Sequence, residues 1–194
     1  MADLTPSIPG EPTRMTVDRY LGLVEAGVLS EDGRVELLEG VVVAMTPSNP
    51  PHAAVVTMAT RALLRAVGER ASVRTQCTLV LGRFSAPEPD LAVVPGADRD
   101  YLSGHPRTAL LVVEVADTSL QQDRITKAAI YAAAGIPEYW IVNLREGVVE
   151  VMRDPDREHA RYRDARTCER GERIELAAFP GTSMVLADLL PTPS

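Results

Sequence analysis

Three residues give this chain its chemical potential: Asp90, Glu114 and Lys127. Asp90 follows Pro89 and opens a short apolar run, Asp90–Val94. Glu114 interrupts a second run of apolar and β-branched residues, Leu110–Val115, where a carboxylate needs a reason to be buried. Lys127 follows in a helical stretch and is the only lysine among 20 basic residues. A chain that writes every other cation as arginine keeps one compact primary amine, and the two are not interchangeable beside a reacting oxygen. Two carboxylates from adjacent strands can hold a hard cation such as Mg2+ through oxygen, with water filling the other positions. The metal lowers the pKa of a bound water and neutralises charge on a phosphoryl oxygen. A nearby lysine can orient or deprotonate that water, or stabilise the developing negative charge. The set suffices chemically for phosphodiester hydrolysis. The residue types are common, and it is the order strand-Asp, strand-Glu, helix-Lys that sharpens the signal.

The elements that must position them are readable in outline. Leu110–Leu144 reads as strand, turn, helix, turn, strand. Ser119-Leu-Gln-Gln122 fits a capping box at the helix start, and Gly135 with Pro137 ends the helix. Upstream, Thr16 caps a short helix from Val17 to Glu25. Arg34–Leu38 and Val41–Met45 form a hairpin about Glu39-Gly40, and a helix runs from His52 to about Val67. Val73–Leu81 reads as a strand. Downstream, Trp140–Leu144 turns at Gly147 into Val148–Met152. Residues 154–172 read as a charged surface loop with one strand around Tyr162, and Arg173–Leu176 and Ser183–Leu186 as final short strands. The fold class is therefore α/β, with a central mixed β-sheet flanked by helices.

At 194 residues with 45% hydrophobic content, one domain is expected over 15–190, between a flexible N-terminal tail (1–14) and a C-terminal tail (191–194). No apolar run reaches the length of a membrane span, and the N-terminus has no signal-peptide pattern. Cys77 and Cys168 form neither a disulfide framework nor a zinc spacing, so a cytoplasmic location is the default. The net charge of −7 argues against a tight, general DNA binder. Arg61, Arg65 and Arg70, or Arg153, Arg157, Arg161 and Arg163, could form local basic patches, though solvated charged surface is the simpler reading of both groups.

With RVELLEGVVVAM, the loop leading to His52, PEPDLAVV, the segment LLVVEVADTSLQQDRITKAAIYAAAGIPEYWIV and a closing FPG, residues 15–190 resemble the Uma2 family of restriction-endonuclease-like proteins, within the PD-(D/E)XK nuclease superfamily. The resemblance implies a restriction-endonuclease-like core with a divalent metal, Mg2+ or Mn2+, at the split edge of its sheet. It makes Pro89-Asp90 the PD of the motif and Glu114 its acidic member. The superfamily lysine would stand at 116, where this chain has Ala116; Lys127 resembles a migrated lysine delivered from the helix. The family also tends to keep an acid at Glu36, a His at His52 and a Tyr at Tyr131, as supporting residues. An acid that often follows the hairpin glycine is replaced here by Val41.

Each assignment has a structural alternative. Asp90 could simply start a strand, Glu114 could pair with an arginine, and Glu36 could face outward from its strand. His52 could be a hydrogen bonder at the helix start, Tyr131 and Trp140 core or wall, and Glu88 solvent-exposed. Asp123 stands four residues before Lys127, the good spacing for a helix-surface ion pair. On a helical wheel, Ile125, Ala128, Ala129 and Ala132 line one stripe, with Lys127, Asp123 and Tyr131 opposite. Lys127 reaches the site only if the Leu120–Tyr131 side covers it, and the alanine stripe must then meet another helix. The expected function is a Mg2+-dependent endonuclease acting on DNA, with Asp90 and Glu114 on the metal and Lys127 on the water. The alternatives are a noncatalytic nucleic-acid-binding or scaffold protein that keeps the fold, and a metal-dependent hydrolase of another phosphoester. A homodimer fits a nuclease that cuts twice, although no stretch specifies an interface.

Overall fold

The computed structural model describes residues 13–29 and 34–190. Residues 1–12 and 191–194, where most of the two tails was expected, lie outside the described residues. Arg14, at the inner end of the N-terminal stretch, pairs with Glu39 and lies over the Phe84 ring.

Ten strands and four α-helical segments form the described chain. Helix α1 (Val17–Glu25) starts where the Thr16 hydroxyl accepts the Arg19 N–H. A hairpin follows, β1 (Val35–Leu38) with β2 (Val41–Ala44). Helix α2 (Pro50–Val67) begins two residues earlier than the composition suggested: Asn49 accepts the His52 N–H and prolines fill its first turn, where no amide partner is needed. It ends at Gly68, whose φ of +58° suits a residue without Cβ. The main sheet follows the order β3 (Ser72–Thr75), β4 (Leu91–Val94), β5 (Leu111–Ala116), β6 (Glu138–Asn143), β7 (Val148–Asp156), β8 (Arg161–Glu169). Only β5 and β6 are parallel, and the helical crossover between them consists of α3 (Leu120–Gln122), a π turn (Asp123–Lys127) and α4 (Ala128–Ala134). A small pair, β9 (Arg173–Glu175) with β10 (Ser183–Val185), completes the fold.

Strand alternation sorts the side chains. From β5, Leu111, Val113 and Val115 join Val55, Ala59 and Leu63 of α2 in one core. Val112 and Ala116 join Ile130 and Tyr131 of α4 in a second. Glu114 has the parity of Val112 and Ala116, so it faces the same side as α4.

Three local expectations need correction. The strand expected over Val73–Leu81 stops at Thr75: Gln76 takes φ +50°, and Leu79 and Leu81 turn to bond Pro87 and Ser85 instead. The charged stretch at 154–172 is mostly strand, because β7 runs to Asp156 and β8 spans nine residues. Being an edge strand with a solvated face, β8 tolerates its charges, which also guard the edge against pairing. The capping box at Ser119 does not form; Ser119 stands at the N-cap but caps no backbone N–H, and its hydroxyl donates to Asp123 Oδ2 at 2.7 Å.

Candidate active site

Antiparallel pairing of β4 and β5 sets Leu91 opposite Val113, which brings Asp90 beside Glu114. The Asp90 N–H donates to Glu114 Oε2 at 3.3 Å, and the Val115 N–H donates to Asp90 Oδ2 at 2.9 Å. Each carboxylate is thus oriented by the backbone that carries the other.

The helix decides the position of Lys127, and it is irregular there. The π turn inserts an extra residue, which rotates the later residues relative to a uniform wheel. Lys127 and Tyr131 are both buried, and Ile125 of the alanine stripe is 62% exposed. Ala128 and Ala132 are buried on a helix whose neighbours are β7 and β8, so the stripe does not pack as one face against another helix. Lys127 Nζ donates to Glu114 Oε1 at 3.0 Å, and lies 3.4 Å from Glu36 Oε2 and 4.0 Å from Asp123 Oδ1. The Tyr131 hydroxyl donates to the same Glu114 oxygen at 2.7 Å. Glu36 faces inward from β1, and its Oε2 also accepts the Glu88 N–H at 3.2 Å. His52, in the first turn of α2, sets Nε2 at 3.0 Å from Asp90 Oδ2 and Nδ1 at 2.9 Å from Ser48 Oγ.

All six residues singled out in the sequence, Asp90, Glu114, Lys127, Glu36, His52 and Tyr131, therefore belong to one connected cluster beneath a cleft. Two members went unrecognised. Asp123 is buried rather than half of a surface ion pair, and its spacing of four from Lys127 and of eight from Tyr131 was the available signal. Gln76 donates to Asp90 Oδ1 at 3.1 Å, and nothing in its neighbourhood marks it. Glu88 is half-buried, not solvent-exposed, and pairs with Arg34 at 3.3 Å. Trp140 lies in the core on the opposite face of the sheet, and its indole N–H donates to Glu138. Of the arginines considered as basic patches, Arg153 pairs with Glu138, and Arg161 and Arg163 with Asp156.

The electrostatics follow from burial. Glu36, Glu114 and Asp123 place three buried carboxylates around the buried Lys127 ammonium, and a fourth, Asp90, adjoins Glu114. Burial works against Asp90, but the His52 hydrogen bond and charge, with Val115 N–H and Gln76, hold its carboxyl below the usual value. The same hydrogen bond keeps His52 above its ordinary value. Burial pushes Glu114 up to about 8 despite Lys127, with Asp123, Asp90 and Glu36 adding to the rise. Asp123 is likewise raised by burial. Burial alone would lower Lys127, but Glu114, Glu36 and Asp123 reverse this and hold it firmly protonated. Burial thus raises Glu114 and Asp123, while specific partners lower Asp90 and raise His52 and Lys127.

Among the described residues, no three His, Cys, Asp or Glu side chains are arranged to hold a metal ion. Mg2+ asks for less: one or two carboxylates, oxygen donors and several waters. Asp90 and Glu114 supply hard oxygen donors at the wall of a cleft that also contains neutral polar groups from Ser48, Asn49, Thr118 and Gln122. The donor chemistry and the charge excess fit a divalent cation.

The sequence pattern of the Uma2 family, described as "Putative restriction endonuclease", matches residues 18–188. A crystal structure from Anabaena variabilis, titled as a putative nuclease belonging to DUF820, has the same fold, with a TM-score of 0.70 at 17% identity. The alignment covers 90% of this chain and 97% of that one. A search of curated proteins returned no match.

Proposed function

The chain belongs to the Uma2 family of restriction-endonuclease-like proteins, and on that premise we propose that it is a Mg2+- or Mn2+-dependent endonuclease hydrolysing DNA phosphodiester bonds. The observation that carries this reading is the approach of Lys127 Nζ to within 3.0 Å of Glu114, beside Asp90, at the floor of a polar cleft. Asp90 and Glu114 would hold the ion. When bound, the ion supplies Lewis acidity: it lowers the pKa of its water and neutralises charge on a phosphoryl oxygen.

The chain's own groups do the rest. Because its neighbours hold Lys127 protonated, Lys127 is no base at neutral pH. Its ammonium instead donates to the attacking water and stabilises the negative charge that develops on oxygen. Tyr131 and Lys127 meet Glu114 Oε1 and the Asp90 N–H meets Oε2, so the carboxylate is held in one orientation. His52 and Gln76 each hold one of the two Asp90 oxygens and so fix the orientation of that carboxylate, with Ser48 orienting the imidazole. Glu36 and Asp123 hold the Lys127 ammonium in place.

A noncatalytic scaffold that keeps the fold is the second reading, and the net charge of −7 favours it. Titration with Mg2+ and Mn2+, following thermal stability and nicking of supercoiled plasmid, separates the two. The nuclease reading expects both a stability gain and metal-dependent cleavage, each abolished in Asp90→Ala. Cleavage that persists in Asp90→Ala, or no response to either metal, sinks it.

A further inference from the structure

A second groove adjoins the cleft, and the two share Asp117 and Thr118 as lining. Beyond Thr118 it passes over Leu120 and Ile125, flanked by Arg124 and Arg145. Its character differs from the cleft's: an apolar floor where two arginines outnumber one acid, Asp117, whereas the cleft is dominated by acids. The π turn spans the contrast. As it carries Lys127 inward, it leaves Ile125 62% exposed and Arg124 on the surface, and such turns recur at functional sites.

The two arginines are not equivalent. Arg124 is clamped to Glu150 by hydrogen bonds of 2.8 and 2.6 Å. Arg145 makes one 3.4 Å contact from Nε to Asp117, and its side chain is 64% exposed. Its two terminal nitrogens have no acceptor among the described residues, so they can take a phosphate. An aliphatic floor next to an available guanidinium fits one nucleotide, with the base against Leu120 and Ile125 and the phosphate on Arg145. Only an unpaired base can lie on such a floor, because in a duplex its faces are stacked.

We propose that this groove seats an unpaired nucleic-acid strand next to the scissile phosphate, making single-stranded or locally unpaired DNA the preferred substrate. The proposal rests on the nuclease reading above for the word substrate; the groove itself can be tested separately. Fluorescence anisotropy with a labelled oligonucleotide, single-stranded or annealed to its complement, is measured in EDTA across a salt series. The wild type should bind the single strand several-fold more tightly than the duplex. Arg145→Ala should weaken single-strand binding by about tenfold, the size of one charge-assisted hydrogen bond, and lower the salt slope by about 0.7. Ile125→Ser should weaken it by about fivefold with the slope unchanged, as loss of apolar contact demands. Both side chains are exposed, so matching melting curves verify the fold.

Equal binding of single strand and duplex, or variants that bind like wild type, overturns the groove. Cleavage in Mg2+ then decides the other question. Cleavage of both substrates with the groove refuted leaves the nuclease reading intact. Groove-dependent binding without cleavage in Mg2+ or Mn2+ overturns the nuclease reading and with it the substrate claim.

Discussion

Replacing Lys127 by methionine, which keeps the length of the side chain and removes its charge, tests the centre of the site. Lys127 Nζ faces Glu114, Glu36 and Asp123 at 3.0, 3.4 and 4.0 Å. At an effective dielectric of about 20, each pair attracts by about 4–5.5 kcal/mol before desolvation is counted. The cost of burying the ammonium offsets much of that, and Glu114, with a folded pKa of about 8, is already largely protonated at neutral pH, which reduces its share. The net loss should therefore fall in the range for breaking a buried ion pair, about 3–5 kcal/mol. For a chain of this size that corresponds to about 6–20 °C in melting temperature. Added Mg2+ should return part of it, since a cation at Asp90 and Glu114 relieves the same excess charge; at a hundredfold excess over Kd the return is about 2.7 kcal/mol. Cleavage should not return. Loss of a cation that stabilises the developing charge should lower it by about 10²–10³-fold. Scanning fluorimetry in EDTA and in Mg2+, alongside plasmid nicking, reads both. A variant that melts with wild type in EDTA, or that still cleaves in Mg2+ at the wild-type rate, refutes the reasoning.

Three further outcomes are expected. His52→Ala removes the imidazole that holds Asp90 Oδ2 and should cost about 10–100-fold in Mg2+ affinity, measured by calorimetry, as for other residues that orient a ligand. Tyr131→Phe deletes one hydrogen bond to Glu114 and should lower stability by about 1.5–3 kcal/mol in urea titrations, with little change in the denaturant slope. In EDTA, wild-type stability should decline as pH rises from about 5 to about 8. Glu114 has a folded pKa of about 8 against the ordinary 4.5, so the folded state holds the extra proton and loses that advantage as pH climbs. The slope from one such proton is at most about 1.4 kcal/mol per pH unit, and Glu114→Gln should flatten it.

The fold was legible where a segment's periodicity matched its burial. The runs at β5 and β6, buried on both faces, and the Gly135 stop behave as short-range physics dictates. It was illegible where tertiary contacts overrode local signals. Charge along residues 161–169 looked like loop, because a sequence does not say that a strand lies at a sheet edge with a wet face. At Ser119, the expected capping box gave way to a hydrogen bond with Asp123, an acceptor that the same helix brings within reach.

The site follows the same division. Asp90 and Glu114 were visible as acids in apolar strands, and a solitary lysine was visible by composition alone. The direction of that lysine was not, because a wheel groups Lys127 with Asp123 and Tyr131 without saying which side packs on the sheet, nor that a π turn spans Asp123–Lys127. An i→i+5 turn is rare and carries an intrinsic cost relative to an α turn, so something must hold it. The buried contacts of Lys127 and Asp123 are strong enough to do so, and Tyr131, four residues on, reaches the same Glu114 oxygen. The site and its irregular helix thus meet in one segment: the acids require a buried cation, Lys127 at the end of the π turn supplies it, and the same turn carries Ile125 and Arg124 on the surface beside the neighbouring groove.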